Sequence, residues 1–580
     1  MTDPASMQQT EAGLSLAELK ESLLLSYLQS SERGLVYSAN WAVELANSIE
    51  VDGETRLPQV PHSQAFAGEF AMFSMGKSLF DLREYRRAAH WLKNCKSDEG
   101  FFLRCYSLYL AGEKDREDNM VDALGPEDLA SMHNAELVPL RKELIIRAES
   151  NPLDGFGYYL LGVVYKEMKL PEEARKNLIK SVHLTPLLWA SWYELAKLCE
   201  TRDMLYSLEV PNHWLRDFFY AKASLTLLLS NDALSYYTNL STVGFSQSPY
   251  INAQLAHANY NLENIAEASF MFDGLRKVDP YRLDDLDTYS NLLFVMENQP
   301  ELSKLAQDVI KIDKYRSETC SVLGNFYGLR GDHDLAIVYF RRAVRLNKND
   351  HLAWILLGHE YIEKANCNMA IEAYSRALEA NKHDFRGYYG LGHTYEVLNM
   401  SYFALYYYKQ AQRLSPSDPR VLEALGTCYI ELNKNSEAKK CLMRAIANKD
   451  KIGTAIIKLA KLHAQLDEDE EAAKLYTRFV ATVVTSEAGN QLPEEEGPAH
   501  VFLAKFHLKH GSYKEAEAHA QKCTEYESTR EEGKSVLQEA IKWRRLLESA
   551  GQGKEMSLLH PDEELSPIAS HTKLPETSSN

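Results

Sequence analysis

The sequence lacks the features that disulfide-rich, zinc-binding and membrane proteins need. Its eight cysteines are scattered over 580 residues, and no two are spaced as C-x-x-C. A disulfide framework or a zinc site would need close, patterned spacing, so we predict reduced cysteines that pack as small apolar residues. No apolar run approaches the ~20 residues that cross a bilayer. The segment MTDPASMQQTEAGLSL has no basic region before an apolar core, so we expect a soluble intracellular protein with no membrane partner.

Signatures of catalysis are also missing. The chain contains no G-x-S-x-G, no G-x-x-x-x-G-K-[ST] and no H-E-x-x-H sequence. The glycine-rich stretch GYYGLGHTYEVL, residues 387–398, does not follow the order G-x-G-x-x-G, and no strand-like run precedes it. We therefore predict that the protein is not an enzyme and that it has no cofactor, no metal and no catalytic residue.

Positive charge is in short supply. The chain has 64 Lys and Arg residues against 82 Asp and Glu residues, which gives a net charge of −18. Such a surface repels phosphate backbones, so nucleic acid is not an expected partner. A basic peptide segment suits this charge better.

What the sequence does contain is a repeat of 34 residues, seen in four consecutive units without a gap over residues 317–452. Its pattern is that of the tetratricopeptide repeat, in which two antiparallel helices form each unit. Large residues at positions 4, 7 and 11 share one helix face, and small residues at positions 8 and 20 let the two helices cross closely. The packing positions of the four units hold Gly324, Tyr327 and Ala336; Trp354, Gly358, Tyr361 and Ala370; Gly392, Tyr395 and Ala404; and Gly426, Tyr429 and Ala438.

The same register extends in both directions and organises most of the chain. We predict an all-α fold, a tetratricopeptide-repeat superhelix (α-solenoid) of roughly fourteen helix pairs with a closing helix at 531–548. Residues 14–210 are expected to form irregular helical repeats, with a polar insert at 111–133, and residues 211–548 regular ones. Residues 1–13 and the Ser-, Pro- and charge-rich tail 549–580 are expected to be disordered, and Ser566, before Pro567, is a candidate phosphorylation site.

The first helices of stacked pairs line a concave wall, so positions 2, 5, 9, 12 and 13 of each unit should face a groove. His359 and His393 share position 9, so the repeat explains their spacing and a metal need not be invoked. Carboxylates and a tyrosine in such a groove suit a peptide that carries an arginine. The alternative is that these are solvated polar positions on an acidic helix surface. The groove candidates are Asn325, His359, Tyr389, His393, Glu396 and Glu423.

Several segments outside the generic repeat pattern resemble one family. FDLREYRRAAHWLKNC (80–95), RKVDPYRLDDLDTYSNLLFV (276–295) and IDKYRSETCSVLGNFYGLRGDHDLA (312–336) are similar to the cell division cycle protein 23 family, subunit 8 of the anaphase-promoting complex. The resemblance covers about residues 14–545. It implies a non-catalytic scaffold of a cell-cycle ubiquitin ligase, found in nucleus and cytoplasm, that forms a homodimer through its N-terminal repeats. It also implies other subunits of the complex as partners.

The resemblance further implies that the C-terminal groove holds an arginine-containing segment of an activator protein. Asn325, Tyr389, Glu396 and Glu423 are then the groove residues of first interest. The competing hypothesis is a tetratricopeptide adaptor of another assembly, of the chaperone-cofactor type. Such a cofactor would carry lysines and asparagines in the groove, whereas carboxylates replace most of the lysines here. An enzyme with a repeat domain would need a further stretch of ~200 residues, which the repeats leave no room for.

Overall fold

A computed structural model provides the structure. It describes residues 15–51, 58–60, 62, 64–122, 133–448, 453–485 and 493–551. Over these residues the chain forms 29 α-helices and no β-strand. The helices make fourteen consecutive pairs and a closing helix. The predicted all-α tetratricopeptide-repeat solenoid is therefore confirmed. The chain divides into two compact units, Met1–Gly390 and Leu391–Asn580.

The helices are named in chain order. The first unit holds α1 (Leu16–Glu32), α2 (Val36–Ser48), α3 (Gln64–Asp81), α4 (Tyr85–Trp91), α5 (Asp98–Asp122), α6 (Leu137–Ser150), α7 (Gly155–Glu167), α8 (Pro171–Leu184), α9 (Trp189–Lys197), α10 (Arg202–Ser207), α11 (Leu215–Thr226), α12 (Ser230–Leu240), α13 (Pro249–Asn261), α14 (Ile265–Val278), α15 (Leu286–Val295), α16 (Gln299–Ile312), α17 (Ser317–Leu329), α18 (His333–Leu346), α19 (His351–Glu363) and α20 (Cys367–Ala380). Helix α21 (Phe385–Val397) contains the boundary between the units. The second unit continues with α22 (Ser401–Leu414), α23 (Pro419–Glu431), α24 (Asn435–Ala447), α25 (Thr454–Gln465), α26 (Asp469–Thr485), α27 (Pro493–Lys509), α28 (Tyr513–Cys523) and α29 (Arg530–Gly551).

The backbone itself repeats every 34 residues. In the regular part, the first helix of each pair ends at a residue in the left-handed region, with φ between 54° and 78°. Such a residue stops a helix and reverses the chain, so the second helix can run back along the first. These residues are Glu263, Glu297, Gly331, Ala365, Asn399, Asn433 and Asp467.

Glycine at position 8 allows the two helices of a pair to cross closely. A Cβ atom on Gly358 would lie 2.6 Å from the ring of Tyr374, and one on Gly392 would lie 2.5 Å from the ring of Tyr408. Ring and added carbon would overlap, so only glycine fits there. Gly324 and Gly426 occupy the corresponding positions against Phe340 and Leu442.

The other packing positions carry alanines and aromatic residues. Ala336, Ala370, Ala404 and Ala438 are fully buried where the second helix meets the first. Tyr361 is also buried, whereas the other large residues of this set are half-buried against the helix seam: Tyr327, Trp354, Tyr395 and Tyr429. The glycine-rich stretch that opens α21 is thus part of the helix packing.

The N-terminal hairpin α1–α2 does not simply stack on the next pair in chain order. Helix α2 packs against α9 and α13, the first helices of later pairs in the same unit. Its Trp41 ring stacks on Trp189 with the ring centroids 4.3 Å apart. The hairpin therefore lies against the wall that first helices form.

The predicted polar insert at 111–133 is partly wrong. Helix α5 continues to Asp122. Its Glu, Lys and Arg residues are good helix formers, and Arg116 pairs with Glu113 along the helix at 2.6 Å. Residues 123–132, the N-terminal 1–13, Ser566 and the tail beyond 551 lie outside the described residues. The predicted boundary at residues 210 and 211 stays a prediction.

The cysteines are all free, and six of the eight are buried. Burial raises the pKa of Cys105 and of Cys428 to about 12, so both thiols are protonated at neutral pH and pack as apolar groups. Within the described part of the chain, no helix combines the length and the apolar character needed to cross a bilayer.

Candidate peptide-binding groove

The first helices α15, α17 and α19 bring a set of polar side chains together in the first unit. Positions 5 and 9 of the repeat hold Asp287 and Asn291 on α15, and Ser321 and Asn325 on α17. We call this wall, formed by α15, α17 and α19, the first-unit groove. The sequence analysis selected only Asn325 among these four residues.

Asn325 is nearly fully buried, with 2% of its surface exposed. Its side-chain nitrogen donates hydrogen bonds to Ser290 Oγ at 2.8 Å and to Asn291 Oδ1 at 2.5 Å. The amide therefore ties α17 to α15. The side-chain nitrogen thus already has partners within the groove. The predicted hydrogen bond from Asn325 to a peptide backbone stays a prediction.

The carboxylates of Asp287 and Asp350 in the first-unit groove both have raised pKa values. Burial, and then the negative charge of Asp350, raise the pKa of Asp287 to about 7, although His257 opposes the shift. Burial also raises the pKa of Asp350, which begins α19 and accepts a hydrogen bond from the Ala353 backbone nitrogen at 3.1 Å. A guanidinium or ammonium group placed near both would favour their ionised forms.

Glu360 is a further carboxylate between α17 and α19, and 7% of its surface is exposed. Its Oε2 lies 2.9 Å from Nδ1 of His333. A Cβ atom on Gly328 would lie 2.7 Å from Oε1, so the glycine leaves the space that this carboxylate fills. Burial raises the pKa of Glu360, and the hydrogen bond to His333 opposes that shift.

Sequence reasoning missed Asp287, Asp350 and Glu360 for different reasons. Asp287 stands at position 5 of a unit, residues 283–316, whose groove positions were not considered, although the 34-residue register would have found it. Asp350 and Glu360 stand at positions 34 and 10, which the groove pattern omits. Asp350 caps the start of α19, where its charge acts on Asp287, and Gly328 of α17 leaves the space that the Glu360 carboxylate fills.

The other first-unit candidates are His359 and Tyr389. His359 is exposed, and its Nδ1 shares a hydrogen bond with the Tyr374 hydroxyl at 2.8 Å. Tyr389 is half-buried on α21. No group of three or more His, Cys, Asp or Glu side chains in the described ranges is arranged to hold a metal ion.

The candidates of the second unit are His393, Glu396 and Glu423, all half-buried. The Tyr408 hydroxyl donates to Glu396 Oε2 at 2.5 Å. Glu423 accepts a hydrogen bond from Thr454 Oγ1 at 2.6 Å and forms an ion pair with Lys458 Nζ at 2.8 Å. Both carboxylates thus lie on first helices as predicted, but each already has a partner within its own unit.

The family comparison bears on the first half of the chain. Residues 18–256 match the model of the family described as anaphase promoting complex subunit 8 / Cdc23. Over these residues the chain is similar to this family. Tetratricopeptide repeats are matched at 317–350, 352–384 and 419–451.

Named relatives agree with the family match. The chain is 44% identical over 281 residues to the human cell division cycle protein 23 homolog, covering 48% of this chain and 47% of that protein. It is 38% identical over 304 residues to anaphase-promoting complex subunit 8 of Arabidopsis thaliana, covering 46% and 52%. Against subunit CDC23 of Saccharomyces cerevisiae it is 30% identical over 296 residues, covering 40% and 47%. The chain spans about half the length of the curated relatives it matches.

A solved structure supports the fold over nearly the whole chain. The crystal structure of the APC/C hetero-tetramer Cut9-Hcn1 aligns with a TM-score of 0.60 and 15% sequence identity, covering 93% of this chain and 99% of that one. At this identity the likeness establishes the fold alone.

Proposed function

We propose that the protein is a non-catalytic scaffold subunit of the anaphase-promoting complex, working in nucleus and cytoplasm. The observation that carries this proposal is the family match over residues 18–256 together with 44% identity to the human relative. A repeat solenoid suits scaffolding, because stacked helix pairs offer long surfaces on which neighbouring subunits can dock.

The groove supports a second part of this proposal, the binding of an arginine-containing segment of an activator. Glu360 is buried, Asp287 and Asp350 are half-buried, and the pKa of each carboxylate is raised, first by its burial. An arginine that enters the groove would pair with a carboxylate in a partly desolvated site, where charge-assisted hydrogen bonds contribute most. The amides of Asn291 and Asn325 add polar partners for a peptide backbone.

Purification of the tagged full-length chain from dividing cells tests the scaffold role. We expect mass spectrometry to identify the other subunits of the complex at fixed stoichiometry. Recovery of Hsp70- or Hsp90-type chaperones in their place would favour the chaperone-cofactor alternative. A variant with Asp287 and Glu360 replaced by Asn and Gln should keep the subunits and lose the activator.

Homodimerisation through residues 14–210 is the third part of the proposal. Helix α3 is apolar on nearly every side, and Phe70, Met72 and Met75 are exposed on it, by 57%, 36% and 40%. A helix that is apolar all round is normally covered, and a second copy of the chain would cover this one.

Light scattering should give twice the monomer mass for the full chain, and Phe70→Glu combined with Met75→Glu should give the monomer mass. Wild-type chain that stays monomeric at micromolar concentration would contradict the dimer.

A further inference from the structure

The hairpin α1–α2 is anchored in the first unit by an aromatic contact. The Trp41 ring stacks on Trp189 and meets Phe218 and Tyr250 edge-on, with ring centroids 5.4 Å and 5.9 Å away. These three partners belong to α9, α11 and α13, which are first helices of successive pairs. The hairpin is thus held on the same type of surface that, further along the unit, forms the first-unit groove.

A chain of ion pairs leads from this hairpin toward the groove. Glu44 Oε1 on α2 lies 2.6 Å from a terminal nitrogen of Arg282, and the other terminal nitrogen lies 3.5 Å from Asp285 Oδ2. His257 Nε2 donates to Asp285 Oδ1 at 3.0 Å. The four side chains are between 14% and 22% exposed, so solvent screens their interactions only partly.

Asp285 is an unusual residue in the backbone. Its φ is 67°, and it immediately precedes α15. The other non-glycine residues with positive φ in the described ranges all lie in the turn between the two helices of a pair. A side-chain-bearing residue keeps such a conformation only where its surroundings fix it. Burial would raise the pKa of Asp285, but the hydrogen bond from His257 and the charge of Arg282 outweigh it and lower the pKa to about 2.

The start of α15 determines where two groove side chains lie. Asp287 follows Asp285 by two residues, and Asn291 is one turn further on, where it accepts the hydrogen bond from Asn325. We propose that Glu44 is a positioning residue for the first-unit groove: through Arg282 it holds Asp285 and thereby fixes the first turn of α15. The N-terminal hairpin and the groove are then energetically coupled. The inference rests on the proposed peptide-binding function of that groove.

Two measurements on the full-length chain test the coupling. The first is hydrogen exchange of the backbone amides of residues 286–291. The second is the affinity for a fluorescent peptide containing one arginine, compared with the same peptide containing citrulline, which has the same shape without the charge. Asp308→Asn is the matched control, because it breaks a surface ion pair of similar length, the 3.0 Å contact with Arg276, away from the hairpin.

We expect Glu44→Gln to speed exchange of residues 286–291 at least threefold and to weaken arginine-peptide binding about threefold. Asp308→Asn should change neither. Trp41→Ala, which removes no charge, should act in the same direction as Glu44→Gln, since it also loosens the hairpin. If Trp41→Ala weakens binding as Glu44→Gln does, the cause is the altered position of the groove residues. Loss of a negative charge near a cationic ligand could not explain an effect of Trp41→Ala.

The possible failures are distinguishable. Unchanged exchange in Glu44→Gln overturns the coupling whatever the peptide does, and so does an equal response to Asp308→Asn. If the wild-type chain does not prefer arginine over citrulline, the proposed binding function fails, while the exchange measurement still decides the coupling. If Trp41→Ala does not fold, the comparison of Glu44→Gln with Asp308→Asn at two salt concentrations replaces it, because a charge effect would fade with salt and a positional one would remain.

Discussion

The grooves of the two units differ in what surrounds their carboxylates. In the first unit, Asp287 and Asp350 are half-buried, and after burial the charge of Asp350 raises the pKa of Asp287. In the second unit, Glu423 is paired with Lys458, and Glu396 accepts a bond from Tyr408. Position 5 of the repeat therefore holds a carboxylate with a raised pKa in the first unit, Asp287, and an ion-paired carboxylate in the second, Glu423.

The difference shows that a repeat position fixes where a side chain points and leaves its partner undetermined. The partner of Glu423 comes from the next helix pair, 35 residues on, where the sequence places a lysine. The neighbour of Asp287 is a second aspartate, at the start of α19. Arginine recognition is thus expected to reside mainly in the first unit, and the predictions below test that expectation.

The largest effect is expected from breaking the packing on which both grooves depend. Ala404 is fully buried in the second unit where α22 crosses α21. Ala404→Glu would bury a charge without a partner and displace the helix, and we expect a loss of several kcal/mol in the free energy of unfolding. Urea titration of the full chain measures this loss.

Tyr402→Glu is the matched control on the same helix. Tyr402 is 73% exposed, so the new carboxylate stays in water. We expect a change within about 0.5 kcal/mol, as for most surface substitutions. Equal losses for the two variants would show that Ala404 is not a packing position.

A direct comparison of the two grooves gives the next effect. Asp287→Lys should weaken binding of an arginine peptide more than tenfold, because it removes an attractive charge and adds a repulsive one. Glu423→Lys should weaken it less than about threefold, since Lys458 already neutralises this carboxylate and the lost pairing is small on a scale of ~1.4 kcal/mol per tenfold. Fluorescence anisotropy at low and moderate salt measures both. The reverse order would place recognition in the second unit.

The fold could be predicted from the sequence because the repeat pattern is a packing pattern. Gly358 and Gly392 are spaced by the period and meet equivalent rings, so each unit confirms its neighbours. The groove was predicted only in part. Position 9 located Asn325, but its burial and its bonds to α15 depend on side chains from another unit.

Features that break the repeat could not be predicted at all. Glu360 stands at position 10, outside the groove pattern, and its carboxylate lies in the space that Gly328 leaves open. The ion pair of Glu44 with Arg282 joins residues 238 positions apart. A pattern with a period of 34 residues carries no information about such contacts.

A smaller effect is expected from pH. The pKa of Asp287 is about 7 in the folded chain, above its ordinary value of 3.8, so the folded state binds this proton more tightly than the unfolded state does. Its contribution to stability is therefore present below about pH 4 and is lost as pH rises toward 7. Asp287→Asn should raise the free energy of unfolding at pH 8 by on the order of 1 kcal/mol, and by less at pH 5.

Urea titrations at the two pH values measure this difference. Asp308→Asn, which breaks an ion pair on the same unit, should instead lower stability slightly at both. If Asp287→Asn were destabilising at pH 8, the Asp287 carboxylate would have a cationic partner, and the contrast between the two grooves would disappear.

The smallest effect concerns the turn that both units share. Ala365 in the first unit and Asn433 in the second occupy the same position of the repeat, with φ of 54° and 55°. Alanine is strained in the left-handed region by roughly 1 kcal/mol, while asparagine tolerates it and glycine is free of the strain. Ala365→Gly should therefore stabilise the chain by up to about 0.5 kcal/mol, after the greater flexibility of glycine in the unfolded state is subtracted. Asn433→Gly should be neutral or slightly destabilising. Thermal melts of both variants measure the two effects. Equal shifts in melting temperature would mean that neighbouring residues determine the turn conformation and that the two units differ only in their grooves.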